Sequence, residues 1–369
     1  MRLKNCLYLI FVIALISLNS CNKNDDFLNG EVVIVDKPTK IDTLKHESHI
    51  TYDGLYTGGI YAYDSLMLFA SSKFPENNLN IFSQSSKSLL GSFFRVGNGP
   101  NEVIDFINYG QFFKYKGDLL LWVCLNYSKM VPFNVTQSLK SGNTILEKDV
   151  IKLNWKKDLK FPFLKVYILN STHYLTRNQA PSPGKNSSEY ISSEYRIYNS
   201  QSNQLTRSIK IFKKGIVNNF NDKRTPSEQY YSTSDAIKPD GSKVAMGMLY
   251  LSQINILDIK SGIIKGFRLR NTPNYKYLEG DPEKFRVYNF LVSADDKYIY
   301  ASYLDISFNK GMGLRSDIHV LHVYDWEGNF IKQLYLEFPF YRMTIDPINK
   351  KLYTSDREDE IYSYDLNNF

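Results

Sequence analysis

The chain has 369 residues, 43% of them hydrophobic and 22% charged, with a formal net charge of +7. That length can bury a large interior, and a mean hydropathy of −0.34 argues against a membrane-embedded body. So mild and dispersed a charge excludes nucleic acid as the expected partner. Tyr (28) and Phe (23) are abundant while alanines number only eight, a balance that favours strands over helices.

The N-terminus reads as an address. Arg2 and Lys4 precede an apolar run over residues 7–18, too short to span a bilayer and right for the core of a signal peptide. The run ends in Leu18-Asn19-Ser20-Cys21, which resembles a bacterial lipobox. The resemblance implies cleavage before Cys21, lipid on that residue, and a membrane partner reached only through the acyl chains. The expected organisation is a signal peptide over 1–20, a flexible tether over 21–30 and one body over 31–369. The acidic pair Asp25-Asp26 is similar to surface-export signals of some lipoproteins, so an outer-membrane address is expected, with the periplasmic or cell-surface side left open. Cys6 leaves with the signal and Cys21 takes lipid. Cys124 then has no partner for an intramolecular disulfide and reads as a small core hydrophobe.

The body repeats. An apolar strand, a tight polar turn, a second apolar strand, a connection and a strand ending in an aromatic-Asp or aromatic-Asn pair recur along the chain. Residues 289–300 followed by 318–325, and 343–356 followed by 360–365, are the best copies. The first turn of each unit falls at Asp64, Gly117, Asn170, Asp240, Asp295 and Asp346, spaced by 53, 53, 70, 55 and 51 residues. Four strands at a period near 50 predict propeller blades. Continuous apolar runs at 119–125 and 318–324 fit middle strands buried on both faces. The expected fold is all-β, a six-bladed β-propeller with four-stranded antiparallel blades. The last unit lacks a fourth strand, so a segment at 31–35 or 45–51 is expected to pair at its edge and close the ring.

Residues 352–356 and 361–365 are similar to blades of NHL-type and TolB-like six-bladed propellers. The loop Arg95-Val96-Gly97-Asn98-Gly99-Pro100-Asn101-Glu102 resembles a Gly-x-Gly-Pro-x-Glu signature in six-bladed propeller lipoproteins of Bacteroidetes type. The resemblance implies a fold and an envelope address, with no settled chemistry.

Strand direction alternates within a blade. The first-to-second and third-to-fourth turns therefore share one face, and the second-to-third loops and blade-to-blade connections share the other. The second face receives the long segments, at 71–78, 95–103, 177–192, 213–229, 271–284 and 303–317, and is the expected binding face. Its candidate ligand residues are Arg95, Asn98, Glu102, Arg177, Arg224, Arg315 and Arg357, with Arg286 and Asp356 nearby. Arginines around a depression suit a carboxylate, phosphate or sulfated glycan. Glu102 has a second reading, as an acceptor for loop amides beside positive-φ glycines. Tyr230, Tyr231, Tyr275 and Tyr277 could stack on sugars or cap the core. His319 and His322, three apart on a strand, point to opposite faces and cannot share a metal.

These features predict a lipid-anchored envelope propeller that binds an acidic small molecule, a glycan or an envelope protein, without cofactor or chemistry of its own. The alternative is a metal-assisted hydrolase or lyase on a sugar-derived substrate at the axial pocket, for which calcium would be the cofactor.

Overall fold

The structure is a computed structural model that describes residues 27–38, 41–51, 58–71, 76–99, 102–104, 106–153, 165–178, 194–213, 233–280, 284–307 and 318–367. Six sheets follow one another along the chain as blades of a β-propeller. Blade 1 comprises Gly59–Tyr63, Leu66–Ala70, Asn77–Ser83 and Leu89–Arg95. Blade 2 comprises Phe106–Tyr115, Asp118–Leu125, Lys129–Asn134 and Ile151–Lys152. Blade 3 comprises Lys165–Asn170, His173–Asn178, Glu194–Asn199 and Leu205–Lys210. Blade 4 comprises Thr233–Ile237, Lys243–Met248, Gln253–Asp258 and Ile264–Leu269. Blade 5 comprises Val292–Ala294, Tyr298–Tyr303, Ile318–Asp325 and Phe330–Phe340. Blade 6 takes Arg342–Asp346, Lys351–Ser355 and Ile361–Asp365 from the end of the chain and Ser48–Ile50 from its beginning.

All six turn markers fall at or beside the turn between a first and a second strand. Local chemistry explains this. Asp64 and Gly117 take left-handed φ values of 56° and 89°, which tight hairpin turns require. Beyond the turns, the middle strands are buried on both faces: in Lys243–Met248 and Gln253–Asp258, ten of twelve residues are buried. Apolar clusters fill every seam between neighbouring blades, with two at the blade 4–blade 5 seam. Leu68 and Ile81 of blade 1 meet Leu121 and Val123 of blade 2, for example, and Cys124 and Met130 of blade 2 meet Val166 and Tyr174 of blade 3. Cys124 is 1% exposed and burial pushes its thiol up to about 12, so it packs as a hydrophobe.

The N-terminal segment closes the ring through the second of its two expected strands and departs from the expectation elsewhere. Ser48–Ile50 closes the ring, pairing antiparallel with Ile361–Asp365 through Ile50↔Ile361 and Ser48↔Ser363. Residues 31–35 do not. Gly30–Val35 lies parallel to Ile264–Leu269 as a fifth strand of blade 4, and Ile41–Leu44 lies parallel to Phe330–Phe340 as a fifth strand of blade 5. Two blades are therefore five-stranded and mixed rather than four-stranded and antiparallel. Tertiary context decides this: the outer edges of blades 4 and 5 have unpaired backbone groups that a passing extended segment satisfies. The body also begins earlier than residue 31, because Phe27 and Leu28 are buried against Phe212 and Tyr275.

The turn-bearing face is not uniformly short. The third-to-fourth connection of blade 2 carries the helix Val135–Ser141. Asn134 caps it by accepting from the Gln137 N–H, and Gly142 ends it at φ 72°.

Candidate functional site

The innermost strands of the six blades wall a cavity of about 530 Å³ on the propeller axis. Its lining runs from Gly59, Lys165 and Arg342 to Pro239, Asp296 and Pro347. The first three stand at the starts of first strands, on the side of the blade-to-blade connections. The last three stand in first-to-second turns. The cavity therefore follows the axis from the loop-rich face to the turn face. Lys165 belongs to blade 3 and Arg342 to blade 6, which are opposite one another in a ring of six. The loop-rich end thus has a cationic lining residue on each of two opposite blades, and the turn end carries Asp296.

Behind Lys165 lies a buried polar cluster at the blade 3–blade 4 seam. Arg177 Nη1 donates to Asp235 Oδ1 at 2.6 Å and Tyr195 OH donates to Asp235 Oδ2 at 2.7 Å. Tyr167 OH and Lys165 Nζ both donate to the Asp235 carbonyl, at 3.3 and 3.2 Å. Burial works against the Arg177 charge, but Asp235 outweighs it and the guanidinium pKa is raised. Burial raises the Tyr195 hydroxyl well above its ordinary value, and Asp235 adds to the rise. Burial lowers the Lys165 amine, with Arg177 in the same direction and Asp235 opposing. Across the axis, Arg342 Nη1 pairs with Asp359 Oδ1 at 3.2 Å. Burial raises the Asp359 carboxyl despite that partner.

The expected ligand residues scatter. Arg177 is 4% exposed and committed to Asp235, an inter-blade tie rather than a surface charge. Arg95 is exposed at the end of blade 1, with Nε 3.5 Å from Glu102 Oε1. Glu102 folds its own loop: Oε2 accepts the Gly99 N–H at 2.9 Å, beneath Gly97 at φ 155°. A Cβ on Gly97 would come within 1.9 Å of that same oxygen, which explains the glycine and supports the amide-acceptor reading of Glu102. Asn98 is exposed on this loop. Arg357 stacks over the Tyr341 ring at 4.5 Å, and its Nη2 donates to that hydroxyl at 3.0 Å. Both border a separate cleft of about 180 Å³. Arg286 pairs with Asp305 at 2.6 Å, and Asp356 accepts the Glu358 and Glu360 N–H groups in its turn. Tyr275 is fully buried, its hydroxyl accepting from Gln253, so it caps the core. The Tyr277 hydroxyl donates to the Lys284 carbonyl. Arg224, Arg315, Tyr230, Tyr231 and Cys21 lie outside the described residues.

Sequence reasoning passed over Lys165, Asp235 and Arg342. One signal was present: units 3 and 6 each open their first strand with a basic residue, where the strand that follows is apolar. His322 is buried and His319 is not, in keeping with their opposite faces. No group of three or more His, Cys, Asp or Glu side chains converges among the described residues.

The architecture is that of a six-bladed β-propeller with a polar axial channel. Two solved structures share the fold over nearly their whole length. One is a protein described as exported, from Bacteroides fragilis, with 12% identity over 90% of this chain and 98% of that one, at a TM-score of 0.50. The other is a member of the DUF4221 family from Bacteroides vulgatus, with 12% identity over 92% and 98%, also at 0.50. No family model matches the chain, and no curated protein matches it. At such identities the likeness speaks for the fold alone.

Proposed function

We propose that this protein is a cell-envelope propeller, held to a membrane by lipid on Cys21, that binds a small ligand at the loop-rich end of its axial channel. The observation that carries the binding reading is the 530 Å³ cavity walled by all six blades and tipped with Lys165 and Arg342. A concave site of that size with a few convergent polar groups on a rigid scaffold suits a monosaccharide-sized or somewhat larger molecule. The envelope address rests on the apolar run at 7–18 and the lipobox-like Leu18-Asn19-Ser20-Cys21, and the exported Bacteroides protein of the same fold supports it. Kinship with NHL-type or TolB-like propellers and with Bacteroidetes propeller lipoproteins belongs to the same reading, through the blade rhythm and the Gly97–Glu102 loop.

Two experiments test it. Cys21→Ala should move the protein from the membrane to the soluble fraction, and a variant that stays with membranes after a salt wash removes the anchor from the reading. For binding, a metabolite and glycan screen is run on the wild type and on Ser293→Trp, which places an indole on the channel wall, with circular dichroism as the folding control. Hits lost in the variant locate the site on the axis. Hits kept in full move it elsewhere, and turnover of a hit by the wild type brings forward the hydrolase or lyase alternative.

A further inference from the structure

Among the described residues, Lys165 is the one cationic group of the axial cluster with no carboxylate hydrogen-bonded to it. Its only hydrogen bond among the described residues goes to the Asp235 carbonyl oxygen, at 3.2 Å. The neighbouring carboxylate is already taken: Arg177 holds Oδ1 at 2.6 Å and Tyr195 holds Oδ2 at 2.7 Å. Among the described residues, the Asp235 carboxylate thus serves Arg177 and Tyr195, and the Lys165 ammonium, only partly open to solvent, stands on the channel wall without a carboxylate of its own. A cation removed from bulk water without a counter-ion is costly, and an anion brought to it recovers much of that cost.

Arg342 lines the channel on the opposite blade. One guanidinium nitrogen, Nη1, is 3.2 Å from Asp359, and the other N–H groups have no partner among the described residues. Guanidinium N–H donors in that state suit a carboxylate or phosphate oxygen. The far end of the channel has the opposite character, with Asp296 between Pro239 and Pro347 on neighbouring turns. An axial ligand therefore meets a polarity that orients it, anion toward the loop-rich face.

We propose that the axial ligand carries a single carboxylate or phosphate group, engaged by Lys165 with Arg342 facing it, on a compact neutral body such as a sugar ring. This deepens the reading of the channel as the ligand site and rests on it. The lowered Lys165 pKa agrees, since it reports burial that Asp235 does not offset.

The test is isothermal titration of four probes in matched pairs: galacturonate against galactose, and glucose 6-phosphate against glucose. The proteins are the wild type, Lys165→Met, Lys165→Arg and Ser293→Trp. The expected result is that at least one acidic probe binds at least about tenfold more tightly than its neutral partner. Lys165→Met erases that preference, Lys165→Arg keeps most of it, and Ser293→Trp abolishes binding. The pairs also separate the carboxylate from the phosphate. Neutral and acidic probes binding alike, with both lost in Ser293→Trp, overturn the anion while leaving the channel reading intact. Acidic probes that bind Ser293→Trp as they bind the wild type overturn both. Binding by Lys165→Met equal to the wild type overturns the role of the lysine, and the absence of binding by every acidic probe overturns the proposal. Should Lys165→Met melt early, Lys165→Gln takes its place.

Discussion

Arg177, on the second strand of blade 3, and Asp235, on the first strand of blade 4, form an ion pair of 2.6 Å with side chains 4% and 0% exposed. Fifty-eight residues separate them in the chain, yet they tie neighbouring blades at the wall of the axial channel. Removing one partner of such a pair strands the other's charge. Asp235→Ala is therefore expected to cost about 3–5 kcal/mol in urea denaturation. Arg177→Met combined with Asp235→Ala should cost less than Asp235→Ala alone, because no charge is then left behind. Equal losses in the single and double variants would show that the tie acts through packing instead.

Ring closure rests on a short strand with one well-buried anchor. Ile50 is 2% exposed and packs with Ile60 and Phe69 in the blade 6–blade 1 seam. Ile50→Ala should cost about 2–5 kcal/mol. Deleting residues 27–51 should do far more, because it also strips the outer strands from blades 4 and 5 and exposes three edges. Aggregation or a much lower melting temperature is expected. An unchanged thermal melt of the truncated protein would exclude this segment as the closure.

The closing segment also has an acid-sensitive latch, onto blades 5 and 6. His49 pairs with Glu360, which also accepts from Thr51 Oγ1 at 2.9 Å, and His46 Nδ1 pairs with Glu337 at 2.9 Å. The hydrogen bond from each histidine holds its glutamate below the ordinary value of 4.5. A depressed carboxylate stabilises the folded state above its unfolded pKa, and that contribution is lost as pH falls through the folded one. Amide hydrogen exchange over Ser48–Ile50 should quicken as pH drops below about 4.5, after correction for the intrinsic rate. Glu360→Gln should flatten this response, and a wild-type rate that does not change on acidification would remove the latch.

His322 brings a second pH dependence, in a higher window. It sits in an aromatic box, stacked on Tyr303 at 3.9 Å with Phe330 at 4.6 Å, and its Nδ1 has no partner among the described residues. Burial lowers its pKa from 6.5 to about 3, with Lys37 adding to the shift and Gln333 opposing it. The unfolded chain therefore takes up a proton between these values while the folded protein does not. Stability from this residue is complete above pH 6.5 and declines toward pH 3, by at most about 1.4 kcal/mol per pH unit. His322→Phe should flatten that slope in denaturant titrations between pH 6.5 and 4. A slope equal to the wild type's would assign the dependence to other groups.

Much of this architecture is written locally. Asp64, Gly117 and the other turn markers bend the chain by their own backbone preferences, and runs such as 119–125 and 318–324 declare strands covered on both faces. Turn chemistry and apolar runs act over a few residues, so blade number and order follow from the sequence alone. The amide-binding role of Glu102 beside Gly97 was legible for the same reason. What the sequence could not settle depends on partners brought together from far apart. Nothing near Arg177 distinguishes it from a solvated loop arginine until blade 4 sets Asp235 against it. Lys165 reads as a polar strand end until the ring closes and places Arg342 across the axis. Residues 31–35 are extended by composition, but which edge receives them is decided by where the unpaired backbone of blades 4, 5 and 6 lies. Tertiary structure alone decides these points, because charge balance, burial and edge pairing are properties of assembled surfaces rather than of segments.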